Sequence, residues 1–362
     1  MKKLFAIIAF MVVMFVATAS ESVYYDARNY EIIGTLAPDA SQPFSRLPDS
    51  LKDTIRKEVW DLGLNSAGIA IRFSTDTKTM RVRWKSHNKF NMNHMTPTGI
   101  RGLDLYTLQE DSTWTFVNSG RPSLSSATTT ARLATAIPER GMREYMLYLS
   151  LYDGVDSLEI GVDSTAVIAM PAINLPVREK PIVMYGTSIL QGGCANRPGM
   201  AHTNIIERAM NREVINLGFS GNARLDRGIA ELMATCDAAC YVIDPLPNCT
   251  SDLLKEKLAD FYHIIRSARP DTPIIFVESP LFPVMRFDEE VNATITEKNA
   301  TLRTIYDGFV ASGDKNLLYF EGNGVFDGNA ELTVDNYHLT DYGFSQFAER
   351  LLPVIKRAVN RE

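Results

Sequence analysis

The segment KPIVMYGTSILQGGCA, Lys180 to Ala195, decides the fold of the second half of this chain. An apolar run, Ile182 to Tyr185, ends in Gly186, and Ser188 follows two positions later. A short, continuous apolar run closed by glycine reads as a strand buried on both faces, the kind that sits in a parallel sheet. Four more runs repeat the pattern: VINLGFS from Val214, CYVIDPL from Cys240, PIIFVESP from Pro273 and NLLYFEG from Asn316. Helical stretches separate them at residues 199–211, 225–236, 253–269 and 296–313. A last one runs over 342–360, with Pro353 expected to bend it. Strands alternating with amphipathic helices predict an α/β, doubly wound parallel sheet of five strands covered on both faces.

Upstream, the rhythm is different. Ile69, Ile71 and Phe73 alternate on one face, and so do Met80, Val82 and Trp84, with Thr75 to Thr79 between them as a turn. Leu147, Leu149 and Leu151 precede Asp153 and Gly154, then Leu158, Ile160 and Val162 follow. Both pairs read as hairpins, and repeated short strands with one apolar face predict two antiparallel sheets packed together. The expected organisation is therefore a β-sandwich over residues 21–175 and an α/β domain over 176–362, joined by a Pro-punctuated connector.

The chain begins with Lys2 and Lys3, an apolar run from Leu4 to Val16 and small residues ending at Ala19. These are the three parts of an export signal over residues 1–19, and they predict a periplasmic or extracellular protein without stable membrane insertion after cleavage. The formal net charge of -6 gives no broad positive field, so nucleic acid is excluded as an expected partner. Cys194, Cys236, Cys240 and Cys249 leave three readings open: a Cys194–Cys249 bridge, a Cys236–Cys240 bridge, or buried thiols. The five histidines form no HExxH or His/Cys set with metal-ligand spacing, so no metal is expected.

In an open parallel sheet, ligands collect at the carboxyl ends of the strands. Four stretches arrive there. GTSIL puts Ser188 between a strand and a helix, whose N–H groups suit a developing negative charge. NLGFSG lets backbone approach a ligand closely at Gly218 and Gly221, and DPLPN ends with the amide of Asn248. DNYH places Asp335 three residues before His338, so the carboxylate can accept from Nδ1–H and leave Nε2 as a base. The GxSxG elbow of α/β-hydrolases is absent, because Leu190 stands where its second glycine belongs.

Together and in this order, the four stretches resemble those of an SGNH hydrolase, a branch of the GDSL esterase/lipase superfamily, over residues 178–362. The resemblance implies a flavodoxin-like sheet order, Ser188 as nucleophile, His338 as base and Asp335 as its partner. It implies an oxyanion hole made by Ser188 N–H, Gly221 N–H and the Asn248 amide, with no cofactor. Thr187 stands where the family has Asp, so the block reads GTS rather than GDS. The GLDLY stretch, Gly102 to Tyr106, is similar to the signature of the GxDLY domain that precedes such hydrolases in exported bacterial proteins, where the sandwich is jelly-roll-like. The implied activity is carboxylic ester hydrolysis, with O-acetyl groups on a polysaccharide, or a small-molecule ester, as substrate. The alternatives are a lipid acylhydrolase of the same fold and a carbohydrate-binding protein with an inactive hydrolase half. The loop SHNKFNMNHMTPTG, Ser86 to Gly99, is either plain surface or a reach across to the catalytic face.

Overall fold

The computed structural model describes residues 21–138, 141–174 and 177–360; the segment read as an export signal lies outside the described residues. In the β-rich half, one antiparallel sheet runs β1 (Ser22–Asp26), β9 (Val155–Asp163), β4 (Met80–Ser86) and β7 (Thr128–Ala134). The other runs β10 (Ile168–Ala169), β3 (Ala70–Thr75), β8 (Arg143–Tyr148), β5 (Leu103–Leu108) and β6 (Trp114–Gly120), with β2 (Glu31–Ile33) also along β3. Ile71, Phe73, Leu103, Leu105 and Leu147 of the second sheet meet Met80, Val82, Trp84, Leu158 and Ile160 of the first in one buried cluster. Burying alternate side chains of both sheets is what holds such a sandwich together.

The two hairpins read from the sequence are not formed. β3 pairs with β8 and β4 pairs with β7 and β9, so the Thr75–Thr79 connection crosses from one sheet to the other. The Asp153–Gly154 turn does the same between β8 and β9. Alternation specifies which face of a strand is buried, and here the paired apolar faces oppose each other across the core instead of lying side by side. The hairpin that does form joins β5 to β6.

The α/β half has five parallel strands in the order β12 (Arg212–Gly218), β11 (Val177–Gly186), β13 (Cys240–Asp244), β14 (Ile274–Val277) and β15 (Leu317–Phe320). This is the flavodoxin-like order, with the first strand of the half lying between the second and third. The connections after the neighbouring strands β11 and β13 therefore leave in opposite directions, the switch point at which such sheets open a crevice beside Gly186. Alternate residues feed two cores. Ile182, Met184, Val242 and Ile275 pack under α4 (His202–Met210) and α8 (Asp341–Val359). Val183, Tyr185, Ile243 and Phe276 pack under α5 (Arg227–Thr235) and α6 (Ser251–Ala268). α7 (Glu289–Ala311) gives Ile295 to one core and Leu302 to the other. Pro353 lies inside α8, as its sequence position requires.

Both cores also take residues from upstream of the parallel sheet. Val59 and Trp60 of α1 (Lys57–Gly63) join one, and Ile100 of α2 (Pro97–Arg101), Leu151 and Tyr152 join the other. Arg46 is wholly buried and donates to the carbonyls of Leu62, Asn65, Asn216 and Gly218. Burial lowers its pKa to about 9, so it stays a cation at neutral pH, satisfied by four backbone oxygens and by the face of Phe219. Gly68 meets β12 so closely that a Cβ there would lie 2.6 Å from Asn216 Cβ.

Candidate active site

Ser188 is the first residue of α3 (Ser188–Gln191), directly beyond the end of β11. Thr187 caps that helix: its Oγ1 accepts from Ile189 N–H at 3.3 Å. Where the family has Asp, the hydroxyl supplies the capping oxygen without a charge. As first helical residue, Ser188 has no intrahelical acceptor for its N–H. Its Oγ lies 2.9 Å from His338 Nε2.

His338 comes from the loop before α8. Its Nδ1 is 2.8 Å from Asp335 Oδ2, and its backbone N–H donates to Asp335 Oδ1 at 2.7 Å. A carboxylate can only accept, so the ring proton sits on Nδ1 and the Nε2 lone pair faces the serine hydroxyl. Partial burial pushes Asp335 up, but the hydrogen bonds from the His338 ring and backbone outweigh it, and the net shift is downward. The carboxylate is thereby kept ionised beside the imidazole. Hydroxyl, imidazole and carboxylate form one hydrogen-bonded chain, which can move a proton off the oxygen.

Gly221 has φ of +67° in the loop after β12, and a Cβ there would meet nothing within 4 Å. Backbone geometry is what favours glycine there. The loop is stitched to α3 and to the end of β11: Ser220 N–H donates to Gln191 Oε1 at 3.0 Å and Phe219 N–H to Gly186 O at 2.8 Å. Asn248 lies in the turn after β13, and its Oδ1 accepts from Ala223 N–H at 3.2 Å. That bond occupies the amide oxygen and orients the NH₂ as the donor end. Asp244 ends β13 opposite Gly186, and burial pushes its carboxyl well above the ordinary range, favouring the neutral acid.

The model of the GDSL-like lipase/acylhydrolase family matches residues 179–356, and that for the N-terminus of SGNH-hydrolase-type esterases matches residues 22–168. A solved structure from Bacteroides ovatus, described as a GDSL-like lipase, is 30% identical with a TM-score of 0.88, over 94% of this chain and 98% of its own. The chain belongs to the GDSL-like lipase/acylhydrolase family. Its fold is also that of a salicylyl-acyltransferase from a tetracycline biosynthetic pathway, at 18% identity and TM-score 0.75 over 94% of this chain and 97% of the other. A family two carbohydrate esterase from Clostridium thermocellum, solved with cellohexaose, gives 13% identity and TM-score 0.59 over 81% of this chain and 93% of the other. No curated protein matches.

Within this GDSL-like chain the GLDLY stretch acts as a clamp. Asp104 is wholly buried; its Oδ2 accepts from Arg197 Nη1 at 2.7 Å and Gly199 N–H at 2.8 Å, and its Oδ1 from Ser119 Oγ at 2.6 Å. Tyr106 hydroxyl accepts from the same Arg197 nitrogen at 2.7 Å. The motif thus grips the segment that follows the Ser188 helix. Tyr152, which sequence reasoning missed, donates to Ser188 O at 3.2 Å and contacts the Ser220 side chain, bracing both loops. Gly193 makes room for this: a Cβ there would lie 2.7 Å from Tyr152 Oη and 3.2 Å from His338 Cδ2. The Ser86–Gly99 loop does reach the site, bringing the His94 ring to 5.6 Å from that of His338.

Cys194, Cys236 and Cys249 are thiols, so neither disulfide considered from the sequence forms. Burial pushes Cys194 up to about 12, with the Asp335 charge adding to it, so at neutral pH it is no nucleophile. Among the described residues no helix is long and apolar enough to cross a membrane.

Proposed function

We propose that this protein is an exported serine esterase that removes small acyl groups, chiefly acetyl, from polysaccharides. In this reading Ser188 Oγ gives its proton to His338 Nε2 and attacks the ester carbonyl. Ser188 N–H, Gly221 N–H and Asn248 Nδ2 hold the resulting oxyanion. His338 then passes the proton to the leaving alcohol, and water, activated by the same imidazole, releases the acid. Asp335 holds the ring tautomer and offsets the charge that forms on it. The observation that carries the reading is the pair of contacts at His338, 2.9 Å to Ser188 Oγ and 2.8 Å to Asp335 Oδ2.

The carbohydrate part is supported by the likeness to a family two carbohydrate esterase that was solved with cellohexaose. A second reading, a lipid acylhydrolase, is favoured by one feature. A cleft of about 350 Å³ has an apolar wall of Leu281, Phe282, Met285 and Phe326 beside Arg286, Asn292 and Asp327, and its Phe282 packs on Tyr337, the residue before His338, at 5.3 Å between ring centroids. Hydrolysis of p-nitrophenyl acetate, butyrate and octanoate by wild type and Ser188→Ala separates the two. Acetate turnover that vanishes in the variant and falls with chain length supports the first, together with acetate release from xylan or pectin. Preference for octanoate supports the second, and silence on all three esters overturns both.

A further inference from the structure

Three side chains able to ligate metal gather at the mouth of the site, and the proposed hydrolysis uses one of them. His94 comes from the loop between β4 and α2, Cys194 from the turn after α3, and His338 from the loop before α8. One ligand atom of each lies within 4.8 Å of the other two. Both imidazoles have Nδ1 held by an oxygen: Asp335 Oδ2 at 2.8 Å for His338, and Asn93 Oδ1 at 2.9 Å for His94. An oxygen acceptor on the outer ring nitrogen is how metal-binding histidines are aimed, and it leaves Nε2 of each as the ligand atom. Cys194 is buried next to them and makes no disulfide.

We infer that His94, Cys194 and His338 form a binding site for a soft divalent cation of the zinc class, and that filling it switches ester hydrolysis off. Two imidazole nitrogens and one thiolate are a donor set that such ions favour over oxygen sites. Binding makes two nitrogen–metal bonds and one sulfur–metal bond. The Cys194 proton and the displaced waters go to solvent, and nothing is oxidised or reduced. A fourth position stays open for water.

Ligand atoms around a tetrahedral zinc are about 3.3–3.6 Å apart, so the three residues must close by roughly 1 Å. The His94 loop is held at Asn88 and Phe90 by the buried Asp153 and closed by buried Met95, so the movement is assigned to rotation of the half-buried His94 side chain. The Nε2 lone pair of His338 faces Ser188 Oγ at 2.9 Å, so metal binding there breaks that hydrogen bond, turns the hydroxyl away and takes the lone pair that would accept its proton. The inhibition therefore rests on His338 being the base, whereas the binding does not.

The test titrates the purified protein with Co²⁺ alone and with Zn²⁺ alone. Bound metal is counted by equilibrium dialysis, thiolate ligation is followed by the near-ultraviolet sulfur-to-cobalt charge-transfer band, and p-nitrophenyl acetate hydrolysis is measured alongside. One equivalent per chain is expected, with the band present and activity falling in step with occupancy and returning with EDTA. Cys194→Ser should lose the band. His94→Gln should bind at least about 100-fold more weakly, since losing an outer-sphere partner alone costs about 10- to 100-fold. Each variant, compared with its own metal-free rate, should resist the metal. Bound Co²⁺ without the band, or binding unchanged in His94→Gln, overturns the site. Ester hydrolysis by wild type that is indifferent to stoichiometric bound metal overturns the inhibition. Binding by a protein that hydrolyses no ester overturns the esterase reading and leaves the site standing.

Discussion

The groups proposed to face a substrate all lie in the α/β half, whereas several of the groups that brace them come from the β-rich half. Ser188, Gly221, Asn248 and His338 sit on connections at the carboxyl edge of the parallel sheet, Ser188 buried, Asn248 and His338 half-buried and Gly221 exposed. Asp104 and Tyr152 of the β-rich half, and Arg46 with them, bond to the connections at that edge and are buried. Two carboxylates make the contrast concrete. Asp335 is 37% exposed and holds an imidazole in a reactive tautomer, while Asp104 is 0% exposed and holds an arginine and a backbone N–H. A partly exposed pair can be altered without leaving a buried charge behind; a buried one cannot. Substitutions in the first set should therefore move rates, and those in the second should move stability.

Ser188→Ala should give the largest effect, a loss of about 10⁶-fold in kcat with an unchanged melting temperature, read by ester hydrolysis and calorimetry. Asp335→Asn follows at about 10⁴-fold, because the amide stabilises the wrong ring tautomer. Asn248→Ala should lower kcat by about 10²- to 10³-fold and leave KM nearly alone, as the loss of a transition-state donor requires. Across the divide, Asp104→Asn should cost on the order of 3 kcal/mol in urea unfolding while the folded fraction keeps most of its activity. A rate collapse at unchanged stability would break the contrast there.

The smallest expected effect is in the pH dependence of stability. Glu207 of α4 is buried and accepts from Tyr148 hydroxyl of β8 at 2.6 Å. Burial raises it from 4.5 to about 7, which outweighs the Tyr148 and Val214 hydrogen bonds. A carboxyl raised in the folded state favours folding fully below its unfolded value and loses that contribution as pH rises through the folded one. Wild type should thus lose stability from about pH 4.5 upward, the loss setting in fully above about pH 7. In Glu207→Gln the difference in melting temperature between about pH 5 and about pH 8 should shrink. An unchanged difference would show that Glu207 is not the titrating group.

The five parallel strands were legible because each is a continuous apolar run ended by glycine, proline or a charge, a pattern that local sequence carries by itself. The Ser188, Gly221, Asn248 and Asp335–His338 stretches were legible for the same reason, each being a short local block. In the β-rich half, alternation revealed the buried face of β3, β4, β8 and β9 but not their partners, since facing across a core and pairing within a sheet bury the same residues. What stayed hidden depends on contacts between distant segments. Arg46 on the β12 carbonyls, Asp104 on Arg197, and His94 beside Cys194 and His338 have no spacing that a linear reading could catch.

The most direct test of the account is covalent labelling with diethyl p-nitrophenyl phosphate, followed by intact mass and peptide mapping. The account predicts one phosphoryl group per chain, attached to Ser188, with esterase activity lost in proportion and labelling suppressed in His338→Ala. A label on any other residue, or full ester hydrolysis by protein carrying the Ser188 adduct, would contradict it.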